Sequence, residues 1–417
     1  MVKIFKFITL ILFCTAKDLF EEHYKEAEKI LSKMTLEQKV GQMFFARFNN
    51  ETKDEDITEK FPGGFVLFAD DFNVSDEKVI INNIEYIQKL SQKTMKLPLG
   101  LAVDEEGGTV NRISKFHRNE KFPSPHDIYS QSGLKGILEI DKEKRDLLRK
   151  FKMNVNLAPV ADMSDNPDDY IYDRTLGYSL NETINYIKED VKGYVNDKFT
   201  CCTKHFPGYG NNVNTHTGIA IDQREYDVFL NADFKPFQAS IEEKIPMILV
   251  SHNIVICKDK NYPASISKIW HDILRNDLKF TGLILTDDLI MDAIKDYTGD
   301  FSPAIIAINA GNDILLTSQY KEHLEAAIQA AKNGTISQDT INKACKRIIA
   351  WKIKYLGAKY VEEKNGKDNT ALIICLVIAG IIIAGIIIYF LLKCFVFKNN
   401  KYDNSIDNLA TGETNFI

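Results

Sequence analysis

Between residues 18 and 356 the chain alternates short β-branched or aromatic runs with longer amphipathic segments, and this rhythm constrains the fold more than any other feature. The short runs cover residues 40–48, 64–68, 99–104, 155–159, 199–204, 247–251, 282–286 and 313–317 and predict eight strands. The segments between them, such as 77–95, 134–151, 181–197, 230–243, 266–278 and 322–332, place apolar residues three and four apart and predict helices. Strands that alternate with helices pair in parallel. Eight such units suit a single α/β domain folded as a (β/α)8 TIM barrel with loop insertions, and an open doubly wound sheet is the competing arrangement. No Gly-x-Gly-x-x-Gly follows a strand, which weakens the nucleotide-binding version of that alternative.

The two ends of the chain follow other rules. Lys3 and Lys6 precede an apolar run at 7–13, with small Cys14 and Ala16 before charged Lys17 and Asp18. This is the layout of a secretory signal, expected to cover 1–16 and leave Lys17 first in the mature chain; a buried N-terminal helix is the competing reading. Residues 371–392 are uninterruptedly apolar, close to the 20 or so that span a bilayer, and predict a transmembrane helix. Lys393, Lys398 and Lys401 follow at once, which by the positive-inside tendency puts 393–417 in the cytosol. A GPI signal would end in its apolar stretch, whereas a polar tail follows this one. The expected organisation is a type I, single-pass membrane protein: signal 1–16, outer domain 17–357, connector 358–370, membrane helix 371–392 and tail 393–417.

Acceptor triplets for N-glycosylation start at Asn50, Asn73, Asn181 and Asn333, in keeping with an extracellular or lumenal outer domain. Of seven cysteines, Cys201, Cys202, Cys257 and Cys345 lie in that domain at spacings that match no zinc site. Adjacent Cys201 and Cys202 point to opposite faces of a strand, so at most one is expected in a disulfide, and buried thiols are favoured. Cys394 is a palmitoylation candidate or a plain thiol. The 417 residues are 45% hydrophobic and 26% charged with a net charge of −6, which argues against disorder and, lacking a basic patch in the outer domain, against a nucleic-acid partner.

Polar residues cluster where the predicted strands end. Asp104-Glu105-Glu106-Gly107-Gly108 ends the third, Asp162 follows the fourth, Lys204-His205 the fifth, His252 the sixth and Asp287-Asp288 the seventh. In a barrel these ends share the face that carries active sites. Any one of them, Asp162 or Asp288 especially, has a helix cap as its competing reading. A strand-end carboxylate opposite a loop proton donor is equipment for glycoside cleavage, the carboxylate attacking the anomeric carbon while the donor protonates the leaving oxygen. The loop after the fifth strand reads Lys204-His205-Phe206-Pro207-Gly208-Tyr209-Gly210 and continues to Asn214-Thr215-His216.

From about residue 36 to 357 the chain resembles the family 3 glycoside hydrolases, specifically the single-domain β-N-acetylhexosaminidases of the bacterial peptidoglycan-recycling type. The likeness rests on Gly64-Phe65-Val66-Leu67-Phe68, Ala102-Val103-Asp104-Glu105-Glu106-Gly107-Gly108, Ala158-Pro159-Val160, Asp173-Arg174-Thr175-Leu176-Gly177 and Asn309-Ala310-Gly311. Lys204-His205-Phe206-Pro207-Gly208 and Thr286-Asp287-Asp288-Leu289 are its most specific pieces. The resemblance implies a retaining exo-glycosidase that removes terminal β-linked N-acetylhexosamine (GlcNAc) through a covalent glycosyl-Asp intermediate. It implies Asp287 as nucleophile, His216 as general acid/base, and Asp104, Arg174, Lys204, His205 and Met291 as substrate-binding residues. Asn214 stands where the family has the Asp that orients the loop histidine, and Tyr209 where it usually has histidine. The first departure keeps open a catalytically weakened carbohydrate-binding surface protein, and β-glucosidase or phosphorylase activity is a further alternative. The larger glucosidases draw their acid/base from a second domain, which the short connector 358–370 does not provide. A monomer acting on a glycan or peptidoglycan fragment is expected, attached to the membrane by its C-terminal helix, with neither metal nor organic cofactor.

Overall fold

The computed structural model describes residues 18–212, 220–291, 294, 297–298, 302–361 and 370–407. The chain divides into two compact units, Met1–Tyr360 and Val361–Ile417.

In the first unit all eight expected strands form and pair in parallel. They are β1 (Phe44–Arg47), β2 (Gly64–Val66), β3 (Gly100–Val103), β4 (Val155–Asn156), β5 (Thr200–Phe206), β6 (Met247–Val250), β7 (Leu283–Thr286) and β8 (Leu315–Thr317). Strands adjacent in sequence are adjacent in space, and β8 lies against β1 with Phe44 opposite Leu315. Between β7 and β8 a single parallel bridge joins Leu285 to Ile314, and Thr286 N donates to Ile314 O at 3.1 Å. The sheet is therefore a nearly closed barrel, consistent with the (β/α)8 expectation; the order shows no reversal of the kind that marks an open doubly wound sheet.

Several boundaries depart from the sequence reading for identifiable reasons. Residues 40–42 were expected in the first strand but belong to the helix Leu36–Gln42. Thr35 and Gln38 form a reciprocal capping box there, Gln38 N donating to Thr35 Oγ1 at 3.2 Å and Thr35 N to Gln38 Oε1 at 3.0 Å, which outweighs the β-branched Val40. The helix expected at 134–151 spans Pro125–Lys150, begun by Ser124 accepting from Asp127 N. Gly133, at φ 59°, interrupts it, so the apolar periodicity is readable only from the next residue onward. The segments expected at 230–243 and 266–278 each combine a regular helix, Phe234–Glu242 and Lys268–Asp272, with a wider π-wound turn.

The floor of the barrel is closed by aromatic rings. A Cβ on Gly100 would lie 2.3 Å from the Phe45 ring, so glycine is required for that contact. Trp351 packs 6.1 Å from Phe45 and donates Nε1–H to Thr200 Oγ1 at 3.0 Å. Each such fully buried ring contributes roughly 1.5–3 kcal/mol through the water it excludes. Cys201, Cys202 and Cys345 are buried thiols, and no described cysteine is in a disulfide.

The second unit contains the helix Thr370–Asp407. Its stretch Ile374–Cys394 is long and apolar enough to cross a membrane, at about 1.5 Å per residue. The helix continues past Lys393 through most of the tail expected at 393–417. The expected signal at 1–16 lies outside the described residues.

Candidate active site

Side chains alternate across a strand, so at the end of β3 Asp104 and Glu106 share one face and Glu105 takes the other. Glu105 is spent on local structure, accepting from the backbone of Arg112 at 3.0 Å and Ile113 at 2.8 Å and from the Ser114 hydroxyl. Asp104 and Glu106 instead line a cavity of about 830 Å³ at the carboxyl end of the barrel. Arg174, Lys204, His205, Asp287 and Met291 line the same cavity. It thus brings together six of the eight residues singled out from sequence; Asn214 and His216 lie outside the described residues.

Glu106 stands at the centre of the buried charges. Lys204 Nζ lies 2.6 Å from Glu106 Oε1 and 2.7 Å from Asp104 Oδ1. Arg174 grips Glu106 with both arms of its fork, Nε to Oε2 at 2.9 Å and Nη2 to Oε1 at 2.8 Å. Burial alone would raise the Glu106 pKa, but Arg174 and Lys204 outweigh it and hold the carboxyl well below its usual range. Burial opposes the Lys204 charge, yet Asp104 and Glu106 raise its pKa above the ordinary value. These groups are charged and fixed before any ligand arrives.

His205 is oriented from two sides. Arg174 Nη2 lies 3.2 Å from Nε2 and can only donate, so Nε2 accepts and the ring proton sits on Nδ1. That proton points at Asp162 Oδ2, 2.7 Å away. Asp162 also accepts from His205 N at 3.1 Å and Tyr209 N at 2.7 Å, so it holds the loop after β5 and caps no helix. The Lys204–His205 and Phe206–Pro207 peptide bonds are cis.

After β7 the two acids divide their tasks. Asp288 accepts from Ser318 N at 3.0 Å and Ser318 Oγ at 2.6 Å, tying β7 to the end of β8. Its carbonyl accepts from His252 Nε2 at 3.0 Å, and Ser265 Oγ lies 2.6 Å from the other ring nitrogen, so His252 braces this corner. Asp287 is half-buried in the cavity wall, with Oδ1 accepting from Asp288 N at 2.9 Å. Buried Met291 supplies an apolar patch of lining. The cavity therefore combines directed donors and acceptors, suited to a polyhydroxylated ligand, with a carboxylate at a strand end.

Glu106 and Asp162 were not among the eight residues taken from sequence. The signal for Glu106 was the two-residue spacing from Asp104. Nothing local marked Asp162 as the partner of His205, because the two stand 43 positions apart and are brought together only by β4 lying beside β5.

A family model described as "Glycosyl hydrolase family 3 N terminal domain" matches residues 35–351. Beta-hexosaminidase A of Pseudoalteromonas piscicida is 28% identical over an alignment of 328 residues that covers 70% of this chain and 53% of that protein. An uncharacterized secreted glycosyl hydrolase of Arthroderma benhamiae is 27% identical over 69% of this chain and 84% of its own length. Among solved structures, a glycoside hydrolase family 3 beta-N-acetylglucosaminidase from Paenibacillus sp. superposes with a TM-score of 0.73 at 25% identity, covering 80% of this chain and 65% of that one. The chain thus spans about half of the first relative and two thirds of the structural one.

Proposed function

The chain belongs to glycosyl hydrolase family 3, and from that membership we propose that it is a retaining exo-glycosidase removing terminal β-linked N-acetylhexosamine from oligosaccharides or glycoconjugates. The observation that carries the proposal is the convergence of Asp104, Arg174, Lys204, His205 and Asp287 on one cavity at the carboxyl end of the barrel. In this reading the Asp287 carboxylate attacks the anomeric carbon and forms a sugar ester while His216, which follows β5 in the sequence, protonates the leaving oxygen. His216 then deprotonates the water that releases the sugar with its configuration retained. Asp104, Lys204, Arg174 and His205 bind the hydroxyls of the terminal sugar, Met291 packs against it, and Glu106 fixes the two cations.

The full chain in detergent should hydrolyse a chromogenic N-acetylglucosaminide, with the β-anomer as first product by NMR. Asp287→Asn should abolish turnover and keep sugar binding. An α-anomer as first product, or undiminished activity in Asp287→Asn, would overturn the assignment.

Asn214 supports a second reading. An amide holds an imidazole but does not stabilise its protonated form as a carboxylate does, so the protein in this alternative is a sugar-binding surface receptor with weakened catalysis. Wild type that binds N-acetylglucosamine without cleaving its glycosides would favour it.

The apolar helix is proposed to anchor the protein as type I, with the barrel outside or in a lumen. The exposure of Asn50, Asn73, Asn181 and Asn333 on the barrel supports this, as does the match to a secreted relative.

A further inference from the structure

Glu106 is held at its backbone as well as at its side chain. Its amide donates to Val110 O at 3.1 Å, within the loop that follows β3. Its carbonyl accepts from Lys144 Nζ at 2.7 Å, and Lys144, on the helix Pro125–Lys150, also donates to Asp141 Oδ1 at 2.8 Å. The Lys144 and Asp141 side chains are each only 4% exposed. A Cβ on Gly107 would lie 2.3 Å from Pro123 O, so the loop is pressed against the chain that leads into this helix.

An aspartate and a lysine three residues apart on a helix usually sit on its solvated face, where the pair is worth little. Burial makes this pair costly, because both charges give up water for their contact. A second acid lies close by. Asp190, on the helix Leu180–Asn196, is buried and lines a cavity of about 10 Å³ together with Asp141, Lys144, Glu106 and Arg174. Burial first, and then the neighbouring Asp141, push the Asp190 carboxyl well above its usual range, so it stays protonated and leaves Asp141 as the carboxylate paired with Lys144. Charge balance at Asp141 explains why a cation stands here. It does not require that the same ammonium take the Glu106 carbonyl, 38 positions away in the sequence.

We propose that Lys144 is a positioning residue for sugar binding: by tying the Glu106 carbonyl to Asp141 it fixes the backbone from which the Glu106 side chain presents Lys204 and Arg174 to the cavity. The contacts are continuous, from Asp141 through Lys144 to the Glu106 backbone, and from the Glu106 carboxylate to Lys204 at 2.6 Å and Arg174 at 2.8 Å. The proposal rests on the hexosaminidase reading, in which those two cations bind the hydroxyls of the terminal sugar. Its own signature is a loss of affinity with bond cleavage largely spared. Asp287 is held by a separate contact, from Asp288 N, and an interaction lost equally from the bound sugar and the transition state raises KM without lowering kcat.

The experiment measures the dissociation constant of N-acetylglucosamine by NMR titration, and kcat and KM on a 4-nitrophenyl N-acetylglucosaminide, for the full chain in detergent, with circular dichroism to verify folding. Lys144→Met alone would leave Asp141 buried without its cation, so two double variants are compared. Lys144→Met with Asp141→Asn removes both charges, and Lys144→Gln with Asp141→Asn does the same but keeps a neutral donor of similar size beside the Glu106 carbonyl. The first should raise the dissociation constant and KM about tenfold with kcat within about threefold of wild type, and the second should recover part of the loss. If the first does not fold, the second decides, with a rise of about threefold in both constants expected at unchanged kcat. Unchanged affinity in the folded Met variant, a loss confined to kcat, or equal losses in the two variants overturn the proposal alone. In a wild type that binds the sugar without cleaving its glycosides, the dissociation constants decide by the same criteria. A wild type that neither binds nor cleaves overturns the hexosaminidase reading and this one with it.

Discussion

At the residue scale the cavity is a matter of which charges have partners. Glu106 holds both Lys204 and Arg174, so it fixes their side chains before substrate is present. Glu106→Gln would leave two buried cations with Asp104 as their remaining close carboxylate, and removing one member of such a group typically costs 3–5 kcal/mol. The expected outcome is a fall in thermal midpoint together with a raised KM, read by scanning calorimetry and steady-state kinetics. A variant with wild-type stability and KM would show that Glu106 is dispensable. Asn214 offers the opposite test: if the missing carboxylate limits proton transfer, Asn214→Asp should raise kcat, most of all on substrates with poor leaving groups. An unchanged rate would count against the pairing of residues 214 and 216.

At the element scale, local signals compete with one another. Val40 and its neighbours read as the start of a strand, yet the Thr35 capping box extends a helix through Gln42 and delays β1 to Phe44. Thr35→Ala should therefore destabilise the fold by about 1 kcal/mol, the usual worth of an N-cap, measurable as a shift in urea midpoint with an unchanged slope. No shift would mean that packing alone defines that boundary. The helix Pro125–Lys150 shows the complementary case, in which an interruption at Gly133 concealed its first two turns from a periodicity count.

At the scale of the whole molecule, closing the barrel buries Lys352 completely beneath β1, with Nζ donating to Gln42 Oε1 at 2.6 Å. Burial pushes its pKa down to about 7 from 10.5. Between those values the unfolded chain binds a proton that the folded chain lacks, so this group makes stability rise with pH across the window; its cost is full below pH 7 and gone above about 10.5. At about 1.4 kcal/mol per unit the effect reaches roughly 4 kcal/mol between pH 7 and 10. Lys352→Met should flatten the pH dependence of the unfolding free energy over that range. The slope is the informative quantity, because the orphaned Gln42 oxygen adds a pH-independent cost of about 1–3 kcal/mol. An equal slope in both proteins would show that Lys352 remains charged in the fold.

The sequence by itself determined the eight strands, their parallel pairing and the strand ends on which the chemistry sits, because side-chain periodicity and turn residues act over a few neighbours. It also marked Asp104, Arg174, Lys204, His205, Asp287 and Met291 as a set, through motif likeness and not through any local rule. Only the tertiary structure decided that Glu106 lies between Lys204 and Arg174 and that Asp162 orients His205. It alone showed that Asp288, beside Asp287 in the cavity wall, ties β7 to Ser318. Those pairings join residues tens of positions apart, and the desolvation that makes each charge demand a partner arises only when the barrel excludes water from them.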